Sequence, residues 1–365
     1  MRQFMLCVYV SILCSCGMIP QLPITVPPQP VYVVAGRDGI EGYGHTHVTL
    51  IDGSSFNVAG DRTVDTTYIE TGIYTNKTLW LGFAGNNNTD KFIVSKITND
   101  LAFQTDYITC MEPRSIHTYH ATILVLCQDR GFVTVAMVID QKDGHVITSR
   151  DLTTEQGDMF FDMSFLIGDE LVIQGGSHNA AAIFPEYHVL DPTTLELKRK
   201  IQVSQLIGIT EAIIDNDTVY LLNGASHIDA QADKPVVDVY TYHEGDTSFT
   251  PLAPIARSPQ HGVIHDGYLY TIHNTWPFTP ETDTPIVTIY QTNLATWAQT
   301  HWEYDYTTHD TSGDMAVIDG HIMLTRFWSD DPKDDGLYEL DPATGTLTQR
   351  ASIPGASLII DSVAQ

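Results

Sequence analysis

Four carboxylates, an arginine and a histidine recur along this chain at Glu70, Arg114, Asp162, Glu211, His261 and Asp314, each eight or nine residues ahead of an apolar run. Carboxylates converging from separate segments supply the hard oxygen ligands that Ca²⁺ takes, so this set is a candidate metal site or polar funnel. Solvation alone also places polar residues at such positions. A register error of one residue would break the set, because neighbouring strand residues point to opposite faces.

A second group lies toward the C-terminal part of the chain: Arg257, His261, His273, Trp276, Phe278, His309, Arg326, Phe327 and Trp328. Aromatic rings stack on a sugar or aryl ligand, and arginine grips a carboxylate with two parallel hydrogen bonds. The same rings would equally serve to pack loops together. The 15 histidines show no helical zinc spacing; His117 and His120 stand three apart, and His45 and His47 share one strand face. Asp330, Asp331, Asp334 and Asp335 before Gly336 form an acidic loop. No nucleophile elbow or phosphate loop is present, and the glycines of Ala35–Gly44 open no helix, which removes a nucleotide reading.

The elements that must position these residues are short. Runs rich in Val, Ile, Tyr, Leu and Thr alternate with Gly, Asp and Asn turns, which predicts strands and no long helix. A turn followed by an apolar strand recurs at Asn76–Phe83, His120–Leu126, Gly168–Ile173, Asn216–Leu222, Asp266–Ile272 and Asp319–Leu324, with a further copy at Val31–Ala35. A period in the forties with several strands per unit predicts a seven-bladed β-propeller. One whole blade is expected at Gln260–Ile264, Tyr268–Ile272, Ile286–Gln291 and Ala298–Glu303. The first unit lacks its inner strand, and Ser357–Asp361 supplies one, so the C-terminal strand is expected to close the ring. Two β-sandwich domains would need a mid-chain linker that the sequence does not contain.

Phe249–Asn274 resembles a kelch-type blade junction, and Gly175–Gly176 resembles the kelch double glycine, with echoes at Ala35–Gly36, Ala84–Gly85 and Asn223–Gly224. The resemblance implies a propeller and no particular activity.

Arg2, the apolar stretch Phe4–Leu13 and the small residues after it have the layout of an export signal. Leu13-Cys14-Ser15-Cys16-Gly17 resembles a bacterial lipobox with Cys16 as the acylated cysteine, and five prolines between Gly17 and Pro30 make an extended tether. The expected organisation is therefore a lipoprotein signal over 1–15, a tether over 16–30 and a propeller over 31–365, carried on a bacterial envelope membrane, with the outer membrane favoured. Export also predicts a Cys110–Cys127 disulfide.

With 45 acidic and 18 basic residues the net charge is −27, which excludes a nucleic-acid partner. Three functional readings follow. The first is a lipid-anchored scaffold that binds a small molecule or a protein, without an assigned catalytic residue. The second is a sugar-active mutarotase or lyase using His261 or His117 with Arg257 or Arg114. The third is a metal-dependent hydrolase built on the carboxylate ring.

Overall fold

The computed structural model describes residues 24–35, 46–64, 69–83, 93–98, 101, 103–109, 113–128, 134–152, 163–175, 186–203, 208–224, 237–252, 259–274, 286–305, 311–327, 331 and 333–361. Among them the β-branched and aromatic runs form strands throughout and no helix. Two-residue hairpins join the first and second strands in six of the described sheets. At Asn76–Lys77, Asp266–Gly267 and Asp319–Gly320 both turn residues have positive φ, the backbone twist that matches paired strands and that Asn and Gly accept most cheaply.

The described strands assemble into seven antiparallel sheets of four strands each, a β-propeller. The blade expected near Gln260 comprises His261–His265, Tyr268–Asn274, Ile286–Asn293 and Gln299–Asp305, hydrogen-bonded in that order. The inner strands Ile69–Thr75, Pro113–Tyr119, Ser164–Ile167, Ile209–Asp215, His261–His265, Thr311–Ile318 and Ala356–Asp361 contact one another in turn around a central channel. The last of these pairs with Pro30–Ala35, Tyr32 opposite Ile360 and Val33 opposite Ile359. One sheet therefore joins the two ends of the chain.

Each pair of neighbouring blades encloses its own apolar core. Phe165, Val172 and Tyr187 meet Val219, Leu221 and Tyr242 at one junction, and Val31, Val33 and Ile51 meet Met323 and Leu337 at another. Burying one such side chain contributes roughly 1.5–3 kcal/mol.

A second turn recurs between the third and fourth strands. Asp52, Asp140, Asp191, Asn293 and Asp341 each accept at the backbone carbonyl from the N–H four residues on. Their side-chain oxygens also accept turn N–H groups, as Asp191 does from Thr193 and Thr194. The echo of Asp191-Pro192-Thr193-Thr194 in Asp341-Pro342-Ala343-Thr344 was open to sequence reading and was missed there.

Among the cysteines, Cys127 is buried and disulfide-bonded, and it lies opposite Pro113 in the register. Cys110 and Cys16 lie outside the described residues.

The polar joint between two blades is centred on Glu170. Arg199 Nη1 and Nη2 donate to its two oxygens at 2.6 and 2.7 Å, and Tyr242 Oη of the next blade donates at 2.5 Å. Burial opposes ionisation of Glu170, but the Arg199 and Tyr242 hydrogen bonds outweigh it and lower its pKa. Removing the carboxylate would strand a shielded guanidinium, so Glu170→Ala is expected to cost about 3–5 kcal/mol. Urea denaturation measures the loss, and a change within ±0.5 kcal/mol would show the joint to be dispensable.

Candidate metal centre in the central channel

Glu211, His261 and Asp314 belong to three successive inner strands, each four residues before its hairpin: Asp215, His265 and Ile318 end the strands. β-bulges shape two of them. Thr210 is extra between the pairs Ile209–Asn223 and Glu211–Leu222, and Gly313 with Asp314 together face Thr325. A bulge re-aims the side chain beside it. One donor atom from each of the three residues lies within 4.8 Å of the others.

Backbone bonds to the neighbouring blade hold both carboxylates. Gly262 N donates to Glu211 Oε2 at 2.6 Å. Ile359 N, in the closing strand, donates to Asp314 Oδ2 at 2.9 Å, and Met315 N donates to Oδ1 at 2.9 Å. Asp314 N donates in turn to the buried Thr325 Oγ1 at 2.8 Å. A Cβ on Gly262 would stand 2.6 Å from the Tyr270 carbonyl oxygen, so glycine is what brings this N–H to Glu211. His261 Nδ1 lies 3.6 Å from Glu211 Oε2, with 39% of its side chain open to the channel.

The electrostatics follow from two carboxylates sharing one imidazole. Burial works against a charged His261, but the nearby Glu211 carboxylate and the Asp314 charge outweigh it and raise its pKa. Burial is also the main reason that the Asp314 pKa rises to about 6; His261 opposes the rise and Glu211 adds to it.

The donor set suits a divalent transition metal. An ion about 2.1 Å from each donor needs donor separations of about 3.4 Å in tetrahedral geometry. The Glu211–His261 separation of 3.6 Å already approaches that value. Imidazole is not a usual Ca²⁺ ligand, so nothing in this site points to the Ca²⁺ considered from the sequence.

The structure splits the sequence-derived channel set. Counted from the second strands, Glu211, His261 and Asp314 lie eight residues back, whereas Glu70, Arg114 and Asp162 lie nine back. The equivalents of the triad in those three blades are Thr71, Ser115 and Met163. Glu70 and Arg114 are instead the extra residues of β-bulges, and Asp162 lies outside the described residues. Among the described residues, the structure brings together Glu211, His261 and Asp314 of this set.

The aromatic patch is corrected in part. His273 is 4% exposed, bonded through Nε2 to Thr271 Oγ1 at 2.9 Å and packed edge-on against Tyr290, so it offers no face to a ligand. Arg326 places its guanidinium 5.9 Å from the Tyr338 ring centroid. His261 belongs with Glu211 and Asp314, and Arg257, Trp276, Phe278, His309 and Trp328 lie outside the described residues. In the acidic loop, Asp335 is buried with Oδ2 accepting from Gly355 N at 2.9 Å, which makes it a structural brace. His120 is a left-handed turn residue, and His47 contacts Thr63 Oγ1.

No protein-family model matches the sequence, and no curated protein does. The fold matches solved structures. A putative 6-phosphogluconolactonase from Bacteroides fragilis superposes with TM-score 0.62 at 13% identity over 93% of this chain and 99% of that one. The β-propeller domain of the Trilobed protease from Pyrococcus furiosus, described as having an open velcro topology, gives 0.56 at 12% identity over 90% and 94%. Apo AztD from Citrobacter koseri gives 0.55 at 11% identity over 91% and 97%. At these identities the likeness carries the propeller fold alone. The kelch-type resemblance rests on its sequence motif.

The triad also sets a pH dependence. Asp314 holds its proton more tightly folded than unfolded, so its contribution to stability declines as pH rises from the ordinary carboxylate range toward about 6. His261 has the same sign: its contribution is full below the ordinary histidine value and is lost as pH rises through its raised value. The metal-free protein is therefore expected to melt at progressively lower temperature from about pH 4 to pH 7, and Asp314→Asn to flatten that slope. Calorimetry in chelator-treated buffers measures it; an identical slope in the variant would contradict the assignment.

Proposed function

We propose that this protein is an exported, membrane-anchored β-propeller that binds a divalent transition metal at Glu211, His261 and Asp314. One observation carries the reading: three donors of the types that Zn²⁺ accepts converge from three separate blades, although the repeat itself requires none of them. Three protein donors leave coordination positions for water or a ligand reached through the channel. The acidic surface attracts cations and concentrates them near the ring. This reading gives the scaffold expected from the sequence a cargo.

Anchoring at Cys16 is supported by the lipobox-like sequence and the proline-rich tether, and it would place the propeller at the envelope surface. The Cys110–Cys127 pairing is supported by the register, since Cys127 lies opposite Pro113, three residues after Cys110.

Isothermal titration with Zn²⁺, Mn²⁺ and Ca²⁺ tests the centre. One equivalent of Zn²⁺ or Mn²⁺ should bind, with Ca²⁺ failing to compete. His261→Asn and Glu211→Gln should lose at least the roughly 10- to 100-fold that removal of an outer-shell partner costs. Metal binding that survives both substitutions, or that is absent from the wild type, overturns the site. For the anchor, Cys16→Ser should move the protein from the membrane to the soluble fraction; mass spectrometry showing an unlipidated mature N-terminus in the wild type would refute it.

A further inference from the structure

A second polar cluster lies in the channel wall on two other blades. Ser115 Oγ and Ser164 Oγ are 2.6 Å apart, and His117 Nε2 is 2.7 Å from Ser164 Oγ. Ser115 and His117 belong to the inner strand Pro113–Tyr119, and Ser164 begins the next, Ser164–Ile167. Ser164 is 6% exposed, while Ser115 and His117 are half-buried. Ser115 stands four residues before its hairpin, the position that Glu211, His261 and Asp314 fill in theirs. Ser115 thus stands at the level of the metal triad, with His117 and Ser164 closer to their hairpins.

We propose that Ser115, Ser164 and His117 form a second binding site in the channel, for an uncharged hydroxyl-bearing small molecule such as a sugar or polyol. The three groups make one hydrogen-bonded chain, and its protons can run in either direction. With His117 donating, Ser164 donates to Ser115, and the Ser115 hydrogen is free for a ligand oxygen. With the order reversed, Ser115 donates to Ser164, Ser164 donates to His117 Nε2, and Ser115 presents a lone pair. The outer hydroxyl can therefore donate or accept without a change of net charge, which complements a ligand hydroxyl that does both.

Charge selects against an anion. Burial lowers the His117 pKa to about 4, so the ring brings no positive charge at neutral pH. Glu211 and Asp314 at the same level, and the net charge of −27, repel carboxylates and phosphates. Arg114, the neighbouring cation, occupies the bulge one residue ahead of that level. This inference does not rest on the metal reading, since it uses different residues on different blades.

Saturation-transfer NMR on the chelator-treated full chain tests it, with glucose, xylitol and gluconate as probes. Glucose or xylitol should receive saturation from the wild type and equally from His261→Asn, and gluconate should receive none. The signal should vanish in Ser115→Ala and in His117→Gln, each checked for an unchanged melting temperature. Ser164→Ala is the internal variant, and Ser115→Ala, which touches the outermost hydroxyl, keeps the test decisive if that variant misfolds. Absence of transfer from both uncharged probes, transfer from gluconate as strong as from glucose, or a signal that persists in Ser115→Ala and His117→Gln would overturn the proposal. Loss of metal binding in the triad variants leaves this result untouched, so the two readings fail separately.

Discussion

Everything in this molecule depends on the antiparallel pairing of Ala356–Asp361 with Pro30–Ala35. A blade is a small twisted sheet with two apolar faces, and it is stable only when both are covered by neighbours. An open row would leave two faces and two strand edges exposed. By donating its final strand to its first sheet the chain covers the last face, and Ile359 and Ile360 enter the cores on either side of the joint. The closing strand also supplies the Ile359 N–H that holds Asp314. Ring closure and the geometry of the candidate metal centre are therefore the same structural event.

The polar groups between blades follow one rule with different outcomes. Glu170 meets a bidentate arginine and a tyrosine, its charge is matched, and its pKa falls. Asp314 meets backbone N–H groups and an imidazole shared with a second carboxylate, and its pKa rises to about 6. A buried carboxylate with a full countercharge is a brace. One left short of positive charge is poised to take a cation, and that difference separates the structural joint from the candidate site.

The two channel clusters differ in the same sense. Glu211, His261 and Asp314 carry more negative than positive charge, whereas Ser115, Ser164 and His117 are neutral hydrogen-bonding groups. Both lie on the inner strands, and bulges at Thr210, at Gly313–Asp314 and at Arg114 adjust the pleat there. Extra residues in the repeat thus decide which side chains reach the channel and which fall out of phase.

The sequence by itself determined the strands, the two-residue turns and the repeat, because alternation and turn chemistry are local. It also pointed to the closing strand, since the unit at Tyr32 lacks a first strand and Ser357–Asp361 is left over. Candidate residues were legible only to within one position: the structure brings the donor atoms of Glu211, His261 and Asp314 together, whereas Glu70 and Arg114, counted one residue further back, fall on bulges and Asp162 lies outside the described residues. That single residue reverses the face on which a side chain emerges, and bulges hide it from any count along the chain. Only the tertiary structure decided that His261 leaves the aromatic group for the carboxylates, that His273 is buried, and that His117 reaches Ser164 of the next blade. Contacts across blades join residues about fifty positions apart, and no local pattern records which pairs meet.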